Sequence, residues 1–226
     1  MPAGLAEEAG SGKQLNLIRL RLTFAKTDAM RYTSHLDLHK AWERTMRRAD
    51  LPLIYNQGFN PRPRLQLAAA LPLGFTSRCE LMDTWLGENG RSLDQIRVAL
   101  EGALPPGLRL LEMQPVELAE PALQTRVQAA EYTVTLLDPV DGLEDRLDGL
   151  LRADSLPRER RGKPYDLRPL IEALEPMPPD EAGRQRLRML LAAQEGRTGR
   201  PEEVLAALDY DPSAARIERT RLIFVS

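Results

Sequence analysis

LNLIRLRLTFAK, residues 15–26, alternates apolar and polar side chains from Leu20 through Phe24. A period of two is the signature of a strand with one buried face. The spacing then changes. From His35 to about Asp50, Leu38, Trp42, Met46 and Ala49 recur at helical intervals on one face. Ser34 with Asp37 three residues later predicts the start of that helix through a capping-box pattern, and Leu51-Pro52 predicts its end. Downstream, YNQGFNPRPR (55–64) reads as a loop, with extended segments at Leu65–Ala69 and Cys79–Leu86 on either side of the Pro72/Gly74 turn. Ser92 opens a second helix carrying Leu93, Ile96, Leu100 and Leu104; Pro105-Pro106-Gly107 ends it, and Leu108–Val116 reads as a strand. Strand, helix, strand, strand, helix, strand is the ferredoxin-like order.

The second half repeats that order approximately. Residues 119–130 read as a linker, and EYTVTLL (131–137) alternates as a strand. A helix then carries Leu143, Leu147 and Leu150, and the basic stretch from Pro157 to Pro169 is irregular. Arg186–Leu191 reads as extended, Pro201-Glu202-Glu203 carries helix-start signals, and Arg219–Val225 closes as a strand. The expected fold is therefore α+β. It comprises two tandem ferredoxin-like (βαββαβ) units, residues 15–118 and 131–226, the second less regular, behind a flexible tail over residues 1–14.

Composition narrows the function classes. The chain has 226 residues, 31 Lys and Arg against 33 Asp and Glu, one cysteine and two histidines. A charge of −2 excludes a uniformly basic nucleic-acid coat protein. A lone Cys79 excludes a disulfide framework or a metal cluster held by this chain's own thiolates, and no cofactor is expected. No Walker or Rossmann glycine loop is present, which argues against nucleotide-dependent classes. The first residues, with two early Glu and no apolar run, do not resemble a signal peptide. No window approaches a membrane span, so no membrane partner is expected and the expected location is cytoplasmic.

The average charge hides segregation. Arg19 to Arg64 holds ten Lys and Arg against four Asp and Glu. On the first helix Lys40, Arg44, Arg47 and Arg48 lie three and four residues apart and form one stripe. The following loop adds Arg62 and Arg64 beside Tyr55, Asn56, Phe59 and Asn60. Guanidinium groups interleaved with aromatic rings and amides suit backbone phosphate plus an unpaired base. The bland alternatives are a solvated helix face and a rigid packing turn with Phe59 buried. A second electropositive segment, PRERRGKPYDLR (157–168), carries Arg158, Arg160, Arg161 and Lys163, and a solvated loop explains it equally.

Three further residues invite chemistry. His35 has the residue type of a general base or phosphate donor, against the plainer role of hydrogen-bonding the helix start. His35 and His39 stand four apart, a chelating interval on a helix, but no third ligand is evident and no metal is expected. Cys79 lies between Arg78 and Glu80, where Arg78 would lower a thiol pKa and simple packing is the alternative.

YTSHLDL (32–38), WERTMRRADLP (42–52), GFNPRPRL (58–65) and LPLGFTSRCEL (71–81) together resemble the radical-SAM-linked protein family, a bacterial domain of unknown function. Its members are similar to the C-terminal extension of cobalamin-type radical SAM enzymes or stand beside them. The resemblance extends from about Leu17 to Phe224 and is most specific over Tyr32–Glu80. It implies weight on Ser34, His35, Asp37, Arg44, Pro52, Gly58, Phe59, Pro61, Gly74 and Glu80. Asn56 departs from a family pattern that more often shows a small hydroxyl residue there. The chain also lacks the three-cysteine radical SAM motif, so any radical chemistry would belong to a partner.

Three functions follow as expectations. The first is a non-catalytic accessory module that binds RNA and works with a radical SAM enzyme in RNA modification or processing. The second is a metal-independent ribonuclease, resembling the tandem ferredoxin-like CRISPR repeat-processing endonucleases, with His35 and Tyr55 as catalytic candidates. The third is a protein-interaction scaffold for a radical SAM partner, since Arg reads a partner's carboxylates as well as phosphate.

Overall fold

The alternating run becomes β1 (Leu17–Lys26), and its Leu20, Leu22 and Phe24 are fully buried. The computed structural model describes residues 17–88 and 90–225, and the tail expected over residues 1–14 lies outside them. α1 (His35–Arg48) starts where Ser34 Oγ accepts the Asp37 N–H at 3.2 Å, and Ala49 caps its end. Leu38, Trp42, Met46 and Ala49 are buried as the spacing predicts. The Trp42 ring meets Phe24 edge-on at 4.8 Å, which seats the helix on the sheet.

β2 (Leu65–Leu67), β3 (Thr76–Gly87), α2 (Leu93–Ala103) and β4 (Leu108–Val116) complete the first half. The reciprocal capping box belongs to α2, where Ser92 and Gln95 satisfy each other's backbone N–H groups. The strands lie in the order β4-β1-β3-β2, every neighbour antiparallel. Ile96 and Leu100 of α2 join Leu38, Trp42 and Met46 of α1 over the same core.

The second half runs α3 (Leu123–Arg126), β5 (Val127–Leu136), α4 (Leu143–Arg152), β6 (Pro157–Arg160), β7 (Lys163–Asp166), β8 (Ile171–Met177), β9 (Arg186–Gln194), β10 (Arg197–Thr198), α5 (Pro201–Ala207) and β11 (Ala215–Phe224). Four of its strands lie in the order β11-β5-β9-β8, again antiparallel throughout. Leu143, Leu147 and Leu150 of α4 close a second core with β5 and β9.

One strand edge joins the halves. β11 pairs parallel to β3 at Glu218↔Thr76 and Arg219↔Ser77, while β2 uses the far end of that edge at Leu65↔Thr84. The result is a mixed α+β fold around a nine-stranded sheet, β10-β9-β5-β11-β3-β1-β4, with β2 and β8 attached beside it.

Three expectations need correction. β5 opens at Val127 rather than Glu131, because buried Ala129 and Ala130 are too small and too similar to mark alternation. The irregular stretch from Pro157 to Pro169 contains a hairpin. Arg160 pairs with Lys163 across Arg161 (φ 53°) and Gly162 (φ 75°), and two successive positive φ angles make a tight hairpin turn. β8 is a strand that the sequence pattern does not mark; among the described residues it pairs with β9 alone, and it tolerates Pro176 as an edge strand does.

Candidate nucleic-acid interface

The loop between α1 and β2 is braced at both ends. Tyr55 and Pro63 bridge, the Asn56 N–H donates to Arg62 O at 2.9 Å, and the Arg62 N–H donates to Asn56 Oδ1 at 2.9 Å. Asn56 is thus the clamp of the loop, a part played by its carboxamide. Arg64 lies over the Trp85 ring at 3.9 Å, and Arg47 over Tyr55 at 5.6 Å. Phe59, at the tip, is 109% exposed, which rules out the packing-turn alternative.

Between this loop and the first turns of α1 lies a cleft of about 880 Å³. His35, Leu36, His39 and Lys40 form one wall; Tyr55, Asn56, Gln57, Arg62, Arg64 and Gln66 are on the other. A second cleft, about 570 Å³, lies where the halves meet. Ser34, His35 and Leu71–Leu73 come from the first half, and Tyr132, Arg160, Thr198 and Arg200 from the second. A third, about 480 Å³, holds Arg160, Arg161, Lys163, Tyr165, Arg197 and Arg200. His35 lines the first and second clefts; Arg160, Gly196, Thr198 and Arg200 line the second and third. The three clefts adjoin at these shared residues, draw their lining from both halves, and are taken together as one track. Its walls carry eight Lys and Arg against one acid, Asp166, in a chain of net charge −2.

The cations of the helical stripe have different surroundings. Lys40 faces the track, paired with Asp37 at 3.3 Å. Arg47 is bound to Glu43 at 2.9 Å, and Arg48 donates to Ala103 O at 2.7 Å, tying α1 to the end of α2. Arg44 is exposed and does not line the three clefts. In the hairpin, Arg158 points away to Pro157 O, while Arg160 is held by Glu203 and by Thr198 O at 3.1 Å and stacks on Tyr165. Arg62, Arg161 and Lys163 make no side-chain ion pair among the described residues, and Asn60 is exposed beside Phe59. Sequence reasoning missed Arg197 and Arg200. Their signal was GRTGRP (196–201), a glycine-punctuated basic turn before a helix.

Below the track runs a buried electrostatic seam. Arg219 donates to both Glu80 oxygens, at 2.8 and 2.6 Å, and to Ala70 O at 3.1 Å, with both charged side chains 1% exposed. Burial pulls the Arg219 pKa down, and the Glu80 charge more than offsets it, leaving the guanidinium firmly protonated. Lys26 Nζ donates to Arg31 O and Thr33 O, fixing the segment that leads into His35. Burial lowers its pKa to about 8. Burial, then the neighbouring His39, also lowers that of His35. Both effects favour the neutral ring, which suits His35 to hydrogen bonding along the track more than to supplying charge.

Other chemistry finds less support. Ser34, not His35, caps the helix; His35 Nδ1 is buried without a hydrogen-bond partner. His35 and Tyr55 share the first cleft, yet no carboxylate hydrogen-bonds His35 among the described residues, so no orienting acid accompanies it. Among the described residues no group of three or more His, Cys, Asp or Glu side chains could hold a metal ion. Cys79 Sγ contacts Arg219 O at 3.5 Å, and burial pushes its thiol up to about 11; the adjacent Arg78 is too weak a counterweight to activate it. No described helix is long and apolar enough to cross a membrane.

Comparison with known proteins adds kinship. A search of the curated proteins finds no match. Among solved structures, an unknown protein from Galdieria sulphuraria is 17% identical over 93% of this chain and 100% of that chain, with a TM-score of 0.28. A chain of a Cbf5-Nop10-Gar1 complex is 11% identical over 82% of this chain, which spans 45% of that one, with a TM-score of 0.41. Likenesses at this level carry no argument about function. The family described as an uncharacterized protein conserved in bacteria (DUF2344) matches residues 19–201, most of the sequence, and the chain belongs to that family.

Proposed function

We propose that this chain is a non-catalytic, cytoplasmic module that binds RNA and works beside a radical SAM enzyme in RNA modification or processing. The observation that carries the RNA reading is the track of three clefts, eight Lys and Arg against one acid, drawn from both halves. Segregation this strong in a near-neutral chain concentrates positive potential along one groove. Two ferredoxin-like units remain the finer reading of the fold, supported by the matching antiparallel orders β4-β1-β3-β2 and β11-β5-β9-β8. The radical SAM partner rests on the sequence resemblance. A single cysteine means that any three-cysteine cluster site lies on that partner.

The test is a salt titration of labelled RNA binding. If the track contacts about five phosphates, affinity falls roughly a hundredfold between about 50 and 200 mM salt, through counterion release. A flat response would favour the scaffold reading. Metal-free cleavage abolished by His35→Ala would favour the ribonuclease.

A further inference from the structure

We infer that the first cleft receives an unpaired nucleotide whose neighbouring base stacks on Phe59, so that the RNA bound is single-stranded. This rests on the RNA reading above and adds the kind of strand. Phe59 is 109% exposed, three residues from Arg62 of the cleft wall, on a loop whose base Asn56 clamps. Pro61 and Pro63, which follow it, limit the freedom of the loop backbone that carries the ring. A large apolar ring held in water gains most from a flat partner, and a base face serves. In a duplex those faces are already stacked, leaving the ring nothing to cover it.

The first cleft, lined by the two arms of the loop that carries Phe59, has the right donors. Gln57 and Gln66 each present a carbonyl acceptor and two N–H donors, the pattern needed to pair with a base edge. Asn56 has its oxygen engaged by the Arg62 N–H, which leaves its amide hydrogens for the cleft. Such edges are available only on an unpaired base. Lys40, paired with Asp37, and Arg62 flank the opening for the adjoining phosphates, and among the described residues no carboxylate is part of the cleft wall itself.

The experiment compares the full chain's affinity for an unstructured RNA of about 12 nucleotides and for the same strand annealed to its complement, at one salt concentration. The expected result is single-strand binding at least about tenfold tighter. Phe59→Ala should weaken single-strand binding about tenfold and leave duplex binding unchanged, while Phe59→Trp retains it. The side chain is fully exposed, so neither substitution threatens folding. Equal affinity for the two forms, or no effect of Phe59→Ala, would overturn the inference and leave salt-dependent RNA binding intact. Failure to bind either RNA would remove both readings together.

Discussion

Replacing Glu80 with alanine is expected to destabilise the chain by about 3–5 kcal/mol. The carboxylate is the bidentate partner of Arg219, and both side chains are 1% exposed. Removing it strands a guanidinium that burial prevents from being solvated, with Lys26, itself 1% exposed, close enough to feel the lost charge. The pair spans β3 and β11, the strands that join the halves, so the damage falls on the seam beneath the track. Urea unfolding measures the loss directly, as a lowered midpoint. Glu80→Leu combined with Arg219→Leu should recover much of it, since exchanging a buried pair for apolar side chains is often neutral. A cost under about 1 kcal/mol for Glu80→Ala would mean that the pair does not hold the seam.

Reversing one charge in each half, Arg62→Glu with Arg200→Glu, is expected to weaken RNA binding more than a hundredfold, each single change giving at least tenfold. Each substitution removes one phosphate contact and installs a repulsive one. Neither side chain forms an ion pair in the described structure, so stability should change by less than about 0.5 kcal/mol. Arg44→Glu and Arg152→Glu serve as controls, because both are exposed cations that line none of the three clefts. Equal losses from the controls would reduce the effect to net charge. Loss from Arg62→Glu alone would confine the site to the first half. Binding is read by anisotropy at low salt, where phosphate contacts weigh most.

How much of this was legible beforehand depends on what each feature rests on. Strong periodicity survived intact: Leu38, Trp42, Met46 and Ala49 are spaced so that no face but one can be buried, and Leu187, Met189 and Leu191 alternate without ambiguity. Small or polar edge segments did not survive. Ala129 and Ala130 carry no contrast, and β8 mixes Glu172, Glu175 and Pro176 into a strand whose outer side faces solvent. The Arg161-Gly162 turn was readable in principle, but charged flanks hid the hairpin. For the site, composition singles out the loop residues Tyr55, Asn56, Arg62 and Arg64, and the structure brings these four together in the wall of one cleft. The partners of Arg47 and Arg48, Glu43 and Ala103 O, are not legible from a helical stripe because they depend on rotamer and tertiary packing. The role of Glu80 was invisible: its partner Arg219 is 139 residues away.

The most direct test of a shared groove is photocrosslinking of one uniformly labelled RNA strand to the full chain, with peptides mapped by mass spectrometry. The expected result is that a single strand crosslinks to the loop over residues 55–64, through Tyr55 or Phe59, and also to residues 160–165 or 197–200. Crosslinks confined to one half, or falling on the outer face of α1 around Arg44, would contradict a track that runs across both.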